Sequence, residues 1–218
     1  MRIGFVLADV FTGSAVSLWP SVAKKFAYSE EDCLVLFPGG RLKDPSTLEQ
    51  MKNNIYRFVN SENLDGSIIW CSTLTGNVRS KDVFESFKDM LALPMVTIDG
   101  KTDSHPEIPD VRFDSYEGSS FLVGHCIEEH GAKKIAYIRG PETHKAAEER
   151  YQAYLDQLKE HNLQCDMNLV ANPVSWWSGD VAMRQLLDER KLVPGKDFDT
   201  LIPVFRFSVD WLDCYTKR

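Results

Sequence analysis

Apolar residues come along this chain in two kinds of run: short continuous blocks, and longer stretches in which they recur every three or four positions. Residues 3–8, 33–37, 66–71 and 94–98 are continuous blocks, the pattern of strands buried on both faces of a parallel sheet. Helical periods lie between them. Val16, Trp19, Val22 and Phe26 predict the first helix, with Pro20 tolerable only in its opening turn. Leu48, Met51, Ile55 and Phe58 predict an amphipathic second helix, and Val83, Phe84, Phe87 and Met90 a third. A short fifth strand is expected at 111–113.

The alternation then restarts. Phe121, Leu122, His125 and Glu129 fall in a helical stretch that Gly131 is placed to terminate. Residues 135–138 read as a strand. A long helix over 145–161 carries Tyr151, Tyr154, Leu155 and Leu158 on its apolar face. A brief strand at 169–170, a helix over 179–190 and a strand from 200 complete the series. Alternating strands and helices of this kind predict an α/β chain with parallel sheets flanked by helices. The second series begins near Phe113, which divides the chain into a first lobe at 1–113, a second at 114–204 and a tail at 205–218.

With 218 residues, 43% of them hydrophobic and 26% charged, the chain can bury the cores of two lobes. No apolar run reaches the roughly 20 residues of a membrane span, and the apolar start reads as a first strand, so a cytoplasmic protein is expected. The five cysteines are scattered without a CxxC pair, which argues for buried free thiols over a zinc module or a disulfide framework. A net charge of −7 and the lack of a basic stripe exclude nucleic-acid binding by this segment itself.

An α/β chain invites an enzyme reading, so the motifs matter. There is no GxSxG elbow, no GxxxxGK[ST] loop and no GxGxxG after the first block. The Pro38-Gly39-Gly40 turn is too short to cradle a phosphate. Cys126 and His130 sit four apart on one helix, but no further ligands complete a metal site. Glu128-Glu129 and Glu148-Glu149 read as solvated helix charges. His105, His144 and His161 carry no partner pattern and read as surface residues. No catalytic residue, metal or cofactor is expected, and an α/β enzyme of unrecognised type stays as an alternative.

Three stretches carry a more specific signal: Asp114 to Gly118 as D-x-x-x-G, residues 125–131 as HCIEEHG, and 134–140 as KIAYIRG. Arg150-Tyr-Gln-Ala-Tyr154 follows them on the long helix as R-x-x-A-Y. In this order and spacing the chain resembles the sensor portion of LacI/GalR-type regulators over residues 1 to about 204. The resemblance implies a two-lobed fold of the periplasmic-binding-protein type I class, with a small ligand held between lobes that close upon it. The loop at Arg41-Leu42 and the stretch 54–66 look like the subgroup fused to diguanylate cyclase (GGDEF) or histidine kinase modules. The chain departs from the family in two places: no helix-turn-helix precedes the first strand, and from Phe205 the sequence leaves the family pattern. That departure gives the expectation of an incomplete second lobe, with residues 205–218 its least well packed part and a non-binding remnant as the alternative.

In an open parallel sheet ligands bind beyond the carboxyl ends of the strands. The candidate contacts of the first lobe are therefore Asp9 and Phe11 after the first strand, Ser72 and Thr73 after the third, and Asp99 after the fourth. In the second lobe the resemblance assigns Arg150 to hydrogen-bonding a ligand, with Trp176 or Trp177 as an apolar plate against a sugar ring. Each has a plainer alternative. Arg150 would pair with Asp114 or Glu149, the tryptophans would be core, and Asp9, Ser72 and Asp99 would be strand-end caps and turn formers. The implied partner is a sugar or related metabolite, with a homodimer through the lobes as a further expectation.

Overall fold

The four continuous blocks at 3–8, 33–37, 66–71 and 94–98 become adjacent strands of one parallel sheet, because each can bury side chains on both faces only when helices cover both. The computed structural model describes residues 1–11, 15–75, 78, 80–87, 92–100, 105–142, 144–176 and 178–204. Met90, Trp177, Cys214 and the whole tail at 205–218 lie outside the described residues. The chain divides into two compact units, one spanning Met1–Phe113 and the other beginning at Asp114.

The first unit is a five-stranded parallel sheet in the order β2-β1-β3-β4-β5. Its strands are β1 (Arg2–Leu7), β2 (Cys33–Pro38), β3 (Gly66–Trp70), β4 (Met95–Ile98) and β5 (Asp110–Val111). Strand β1, paired on both sides, shows why the sheet is doubly covered. Phe5 and Leu7 point to one face, where Trp70 and Ile98 join Ala15, Leu18, Trp19 and Val22 of α1 (Ala15–Phe26). Val6 and Ala8 point to the other, against Tyr56, Val59, Leu74, Val83 and Phe87. Each such large apolar side chain taken fully out of water contributes about 1.5–3 kcal/mol.

Two helices depart from their expected phase. Pro20 lies at the sixth position of α1 rather than in its opening turn, and Val16 is exposed while Ala15, Leu18 and Trp19 face the sheet. The second helix, α2 (Thr47–Lys52), tightens into a 3₁₀ segment at Asn53–Phe58. The change from 3.6 to three residues per turn rotates the face. Leu48, Met51 and Phe58 are left exposed, and Tyr56 turns inward instead. Its hydroxyl donates to the carbonyls of Leu7 and Gly40 at 3.1 and 3.0 Å, fastening this segment to the end of β1. Gly39 is required here, since a Cβ would stand 2.2 Å from the Tyr56 ring. The strand β3 runs without a loop into a one-turn helix, α3 (Cys71–Leu74), and α4 (Ser80–Ser86) follows with Val83 and Phe84 buried.

In the second unit β6 (Ile135–Ile138), buried at every position, pairs in parallel with β7 (Thr200–Pro203). Alternate residues again serve two cores. Ile135 and Tyr137 face α5 (Ser115–Glu128) and α6 (Lys145–Glu160), while Ala136 and Ile138 face α7 (Gly179–Arg184). Asp114 caps α5 by accepting from the Glu117 amide at 2.7 Å. Gly131 ends it in the left-handed region at φ +67°, with the Gly131 and Ala132 amides bonded to the carbonyls of Ile127 and Cys126. The inward side of α5 is Val123 and Gly124, whereas Phe121 and Leu122 are exposed. Gly124 permits the approach of α6, as a Cβ there would stand 2.9 Å from the Gln157 amide oxygen. The expected strand at 169–170 reduces to a 3₁₀ turn at Met167–Leu169 and one bridge between Val170 and Tyr137. The helix over 179–190 continues past α7 as a π-helical turn at Gln185–Glu189.

Candidate functional site

The strand order of the first unit places β1 beside β3, with the connections leaving in opposite directions. Such a switch point opens a crevice at the carboxyl ends of the strands. Four of the candidates, Asp9, Ser72, Thr73 and Asp99, stand along that edge. Thr73 lies across the seam: its hydroxyl donates to the Trp70 carbonyl at 2.8 Å and accepts from the Ala8 amide at 3.1 Å, so it ties β1 to β3. Asp9 folds the chain after β1 by accepting from the Phe11 amide at 2.7 Å, which is a turn-forming role. Phe11 itself is 85% exposed.

Asp99 follows β4 in the left-handed region at φ +53°, a conformation Asp tolerates better than most residues. One carboxylate oxygen accepts from the Ser72 hydroxyl and the other from the Phe113 amide, each at 3.1 Å. Beside it Asp110 receives the Thr97 hydroxyl at 2.6 Å and the Gly100 amide at 2.7 Å. Cys71, fully buried near both carboxylates, has its thiol pKa pushed up by burial first and by Asp110 and Asp99 next, so it is inert as a nucleophile. Cys33 departs from the expected buried thiols, being exposed, and Cys126 and Cys165 are half-buried.

In the second unit the corresponding strand ends gather a different set. Arg150, midway along α6, donates to the Val204 carbonyl at 2.8 Å and to the Ser115 hydroxyl at 3.5 Å. The two carboxylates weighed as its partners are engaged elsewhere, Asp114 as the cap of α5 and Glu149 facing Lys145 at 3.7 Å. Trp176 packs edge-on against His144, ring centroids 4.6 Å apart, and approaches Gly140, where a Cβ would meet Ala147, Val204 and Trp176 within 3.5 Å. Arg139 ends β6 with its guanidinium on Glu148 at 3.0 and 3.3 Å and 4.3 Å above the Tyr151 ring. Arg150 and Trp176 thus share one edge of the second unit, and Trp177 lies outside the described residues.

Two residues of this edge escaped the sequence reading. His144 is 8% exposed, not a surface residue, because Trp176, thirty-two positions away, covers it. Arg139 and Glu148 form an ion pair where the glutamates read as solvated charges. His161 likewise meets Glu128 at 3.0 Å. Among the described residues no three His, Cys, Asp or Glu side chains gather as a metal ion would require, and no helix is long and apolar enough to cross a membrane.

No family model matches the chain. It is 29% identical over 139 residues to the HTH-type transcriptional repressor PurR of Mannheimia succiniciproducens, a match taking in 62% of this chain and 38% of that repressor. Among solved structures, a LacI family transcriptional regulator from Mycobacterium smegmatis superposes with a TM-score of 0.77 at 17% identity, over 99% of this chain and 74% of that one. The chain has the fold of LacI-family regulators. The same fold is seen again in the transcriptional regulator CelR, solved as a complex with cellobiose, with a TM-score of 0.73 at 21% identity over all of this chain and 64% of that one. The sequence relatives are transcriptional repressors, and the stretch of this chain that matches them spans only about a third of their length.

Proposed function

We propose that this chain is the effector-binding portion of a LacI-type regulator, taking a neutral sugar or sugar-like metabolite between its two lobes and closing upon it. The observation that carries the reading is the gathering of Arg150, Trp176 and His144 at one strand-end edge of the second unit. An apolar indole face beside a fixed guanidinium suits a ring that presents both C–H faces and hydroxyls. From the first unit, Ser72 would add a hydroxyl at the switch point, with Asp9 and Thr73 shaping the turn behind it. The cellobiose in the CelR complex supports the sugar class as the first to test.

Calorimetry on the 218-residue chain with cellobiose, glucose, galactose and ribose tests this. Saturable binding of at least one sugar is expected. Arg150→Ala should weaken it by roughly ten-fold or more, the cost of leaving ligand polar groups unpaired in a dry site. A fall in radius of gyration on saturation, read by small-angle scattering, would report closure. Heats of dilution alone across all four sugars would overturn the sugar reading.

A further inference from the structure

Asp99 was a candidate ligand contact, yet both of its carboxylate oxygens are already used within the first unit. One holds the Ser72 hydroxyl at the mouth of the β1–β3 crevice. The other holds the amide of Phe113, the last residue of that unit. The rest of the Asp99 turn is braced. Its own amide donates to the Val111 carbonyl at 2.9 Å, and the next amide, Gly100, is held by Asp110 at 2.7 Å. Gly100 has no room to shift toward α3, since even a Cβ would stand 2.4 Å from the Cys71 sulfur. The backbone at Asp99 is therefore fixed, and the side chain is the part free to reorient. A carboxylate with two donors pulling on opposite oxygens keeps one orientation; with one donor removed it rotates about its χ angles and loosens on the other.

We infer that Asp99 is a positioning residue that couples the Ser72 hydroxyl, at the ligand edge, to the Phe113 amide, where the chain leaves the first unit. A ligand oxygen that draws the Ser72 proton away from Asp99 would release that exit segment, and one that leaves the bond intact would keep it tied. The ligand clause rests on the proposed function; the Ser72–Asp99–Phe113 coupling does not.

The coupling is measured without any ligand, by amide hydrogen exchange at Phe113 in the 218-residue chain. Ser72 and Phe113 bond to opposite oxygens of Asp99, and through that carboxylate Ser72→Ala should speed exchange at Phe113 by about five-fold, as expected for weakening one neighbouring hydrogen bond. The amides of β6 serve as controls and should not change. Asp99→Gly removes the carboxylate while accepting the positive φ without strain, and it should speed Phe113 exchange at least as much. Adding Ser72→Ala to Asp99→Gly should then change nothing further, because the relay is already gone. Phe113 exchange at the wild-type rate in Ser72→Ala, or additive effects in the double variant, would overturn the inference. Neither result would bear on whether sugars bind.

Discussion

Arg150 donates to the backbone carbonyl of Val204 at 2.8 Å, so a side chain in the middle of α6 holds the chain just past the end of β7. Removing it leaves that carbonyl and the Ser115 hydroxyl without this donor. Arg150→Ala should therefore cost the second unit about 1–3 kcal/mol, apart from any effect on a ligand. Urea unfolding followed by far-UV circular dichroism would show it as a lower midpoint. An unchanged midpoint would mean that water replaces the guanidinium at no cost.

A single hydroxyl fastens the 3₁₀ segment of the first unit. Burial pushes the Tyr56 pKa well above its ordinary value, with Glu49 adding to the rise, so it remains a neutral donor to Leu7 and Gly40. Tyr56→Phe keeps the ring but removes this donor from both carbonyls, of which Leu7's still accepts from the Gly39 amide at 3.0 Å, and about 1–2 kcal/mol should be lost. Tyr56→Leu should cost more, since the edge-on contact with Phe87 at 5.3 Å goes as well. Denaturant melts of the two variants would rank them.

The left-handed residue ending α5 offers a clean backbone test. Nothing lies within 4 Å of a Cβ placed on Gly131, so Gly131→Ala meets no steric obstacle except its own φ of +67°. A loss of about 1 kcal/mol is expected, and Gly131→Asn should lose less because Asn enters this region more readily. Equal stability of the Ala and Asn variants would show that the helix end moves to relieve the strain.

His161 gives the second unit a pH dependence of known sign. Its Nδ1 lies 3.0 Å from the Gln157 carbonyl and its Nε2 3.0 Å from the Glu128 carboxylate, and these, in that order, hold its pKa above the reference 6.5. A histidine raised in the folded state stabilises fully below its unfolded pKa and loses that contribution as pH rises through the folded value. His161→Gln should then be less stable than the parent near pH ~5.5, with the gap closing by pH ~8.5. Thermal melts across this range decide it, and a gap that widens with pH would reverse the assignment.

Much of the fold was readable because it depends on local pattern. The blocks that became β1, β2, β3, β4 and β6 are apolar at nearly every position, and Gly131 sits where a helix stop must be. What failed was phase and distance. Leu48, Met51 and Phe58 keep helical spacing on paper, but the 3₁₀ tightening and the Tyr56 anchor, which bonds forty-nine residues back to Leu7, decide which face turns in. His144 looked exposed because the ring that buries it arrives from position 176. The candidates along the strand ends could be placed from strand order alone. Their hydrogen-bond partners could not, since Asp99 reaches Ser72 and Phe113 only once β3, β4 and β5 are paired.

The strand order of the first unit also bears on how the protein is made. After β1 and β2 have paired, β3 joins the free side of β1, β4 the free side of β3, and β5 the free side of β4. Each strand emerging from the ribosome is added to an edge that already exists, and no formed pair among them has to open to admit a later one. Translation at about 5–20 residues per second delivers the strands seconds apart, ample time for each docking step. Assembly of this unit can therefore keep pace with synthesis, in the order in which the message is read.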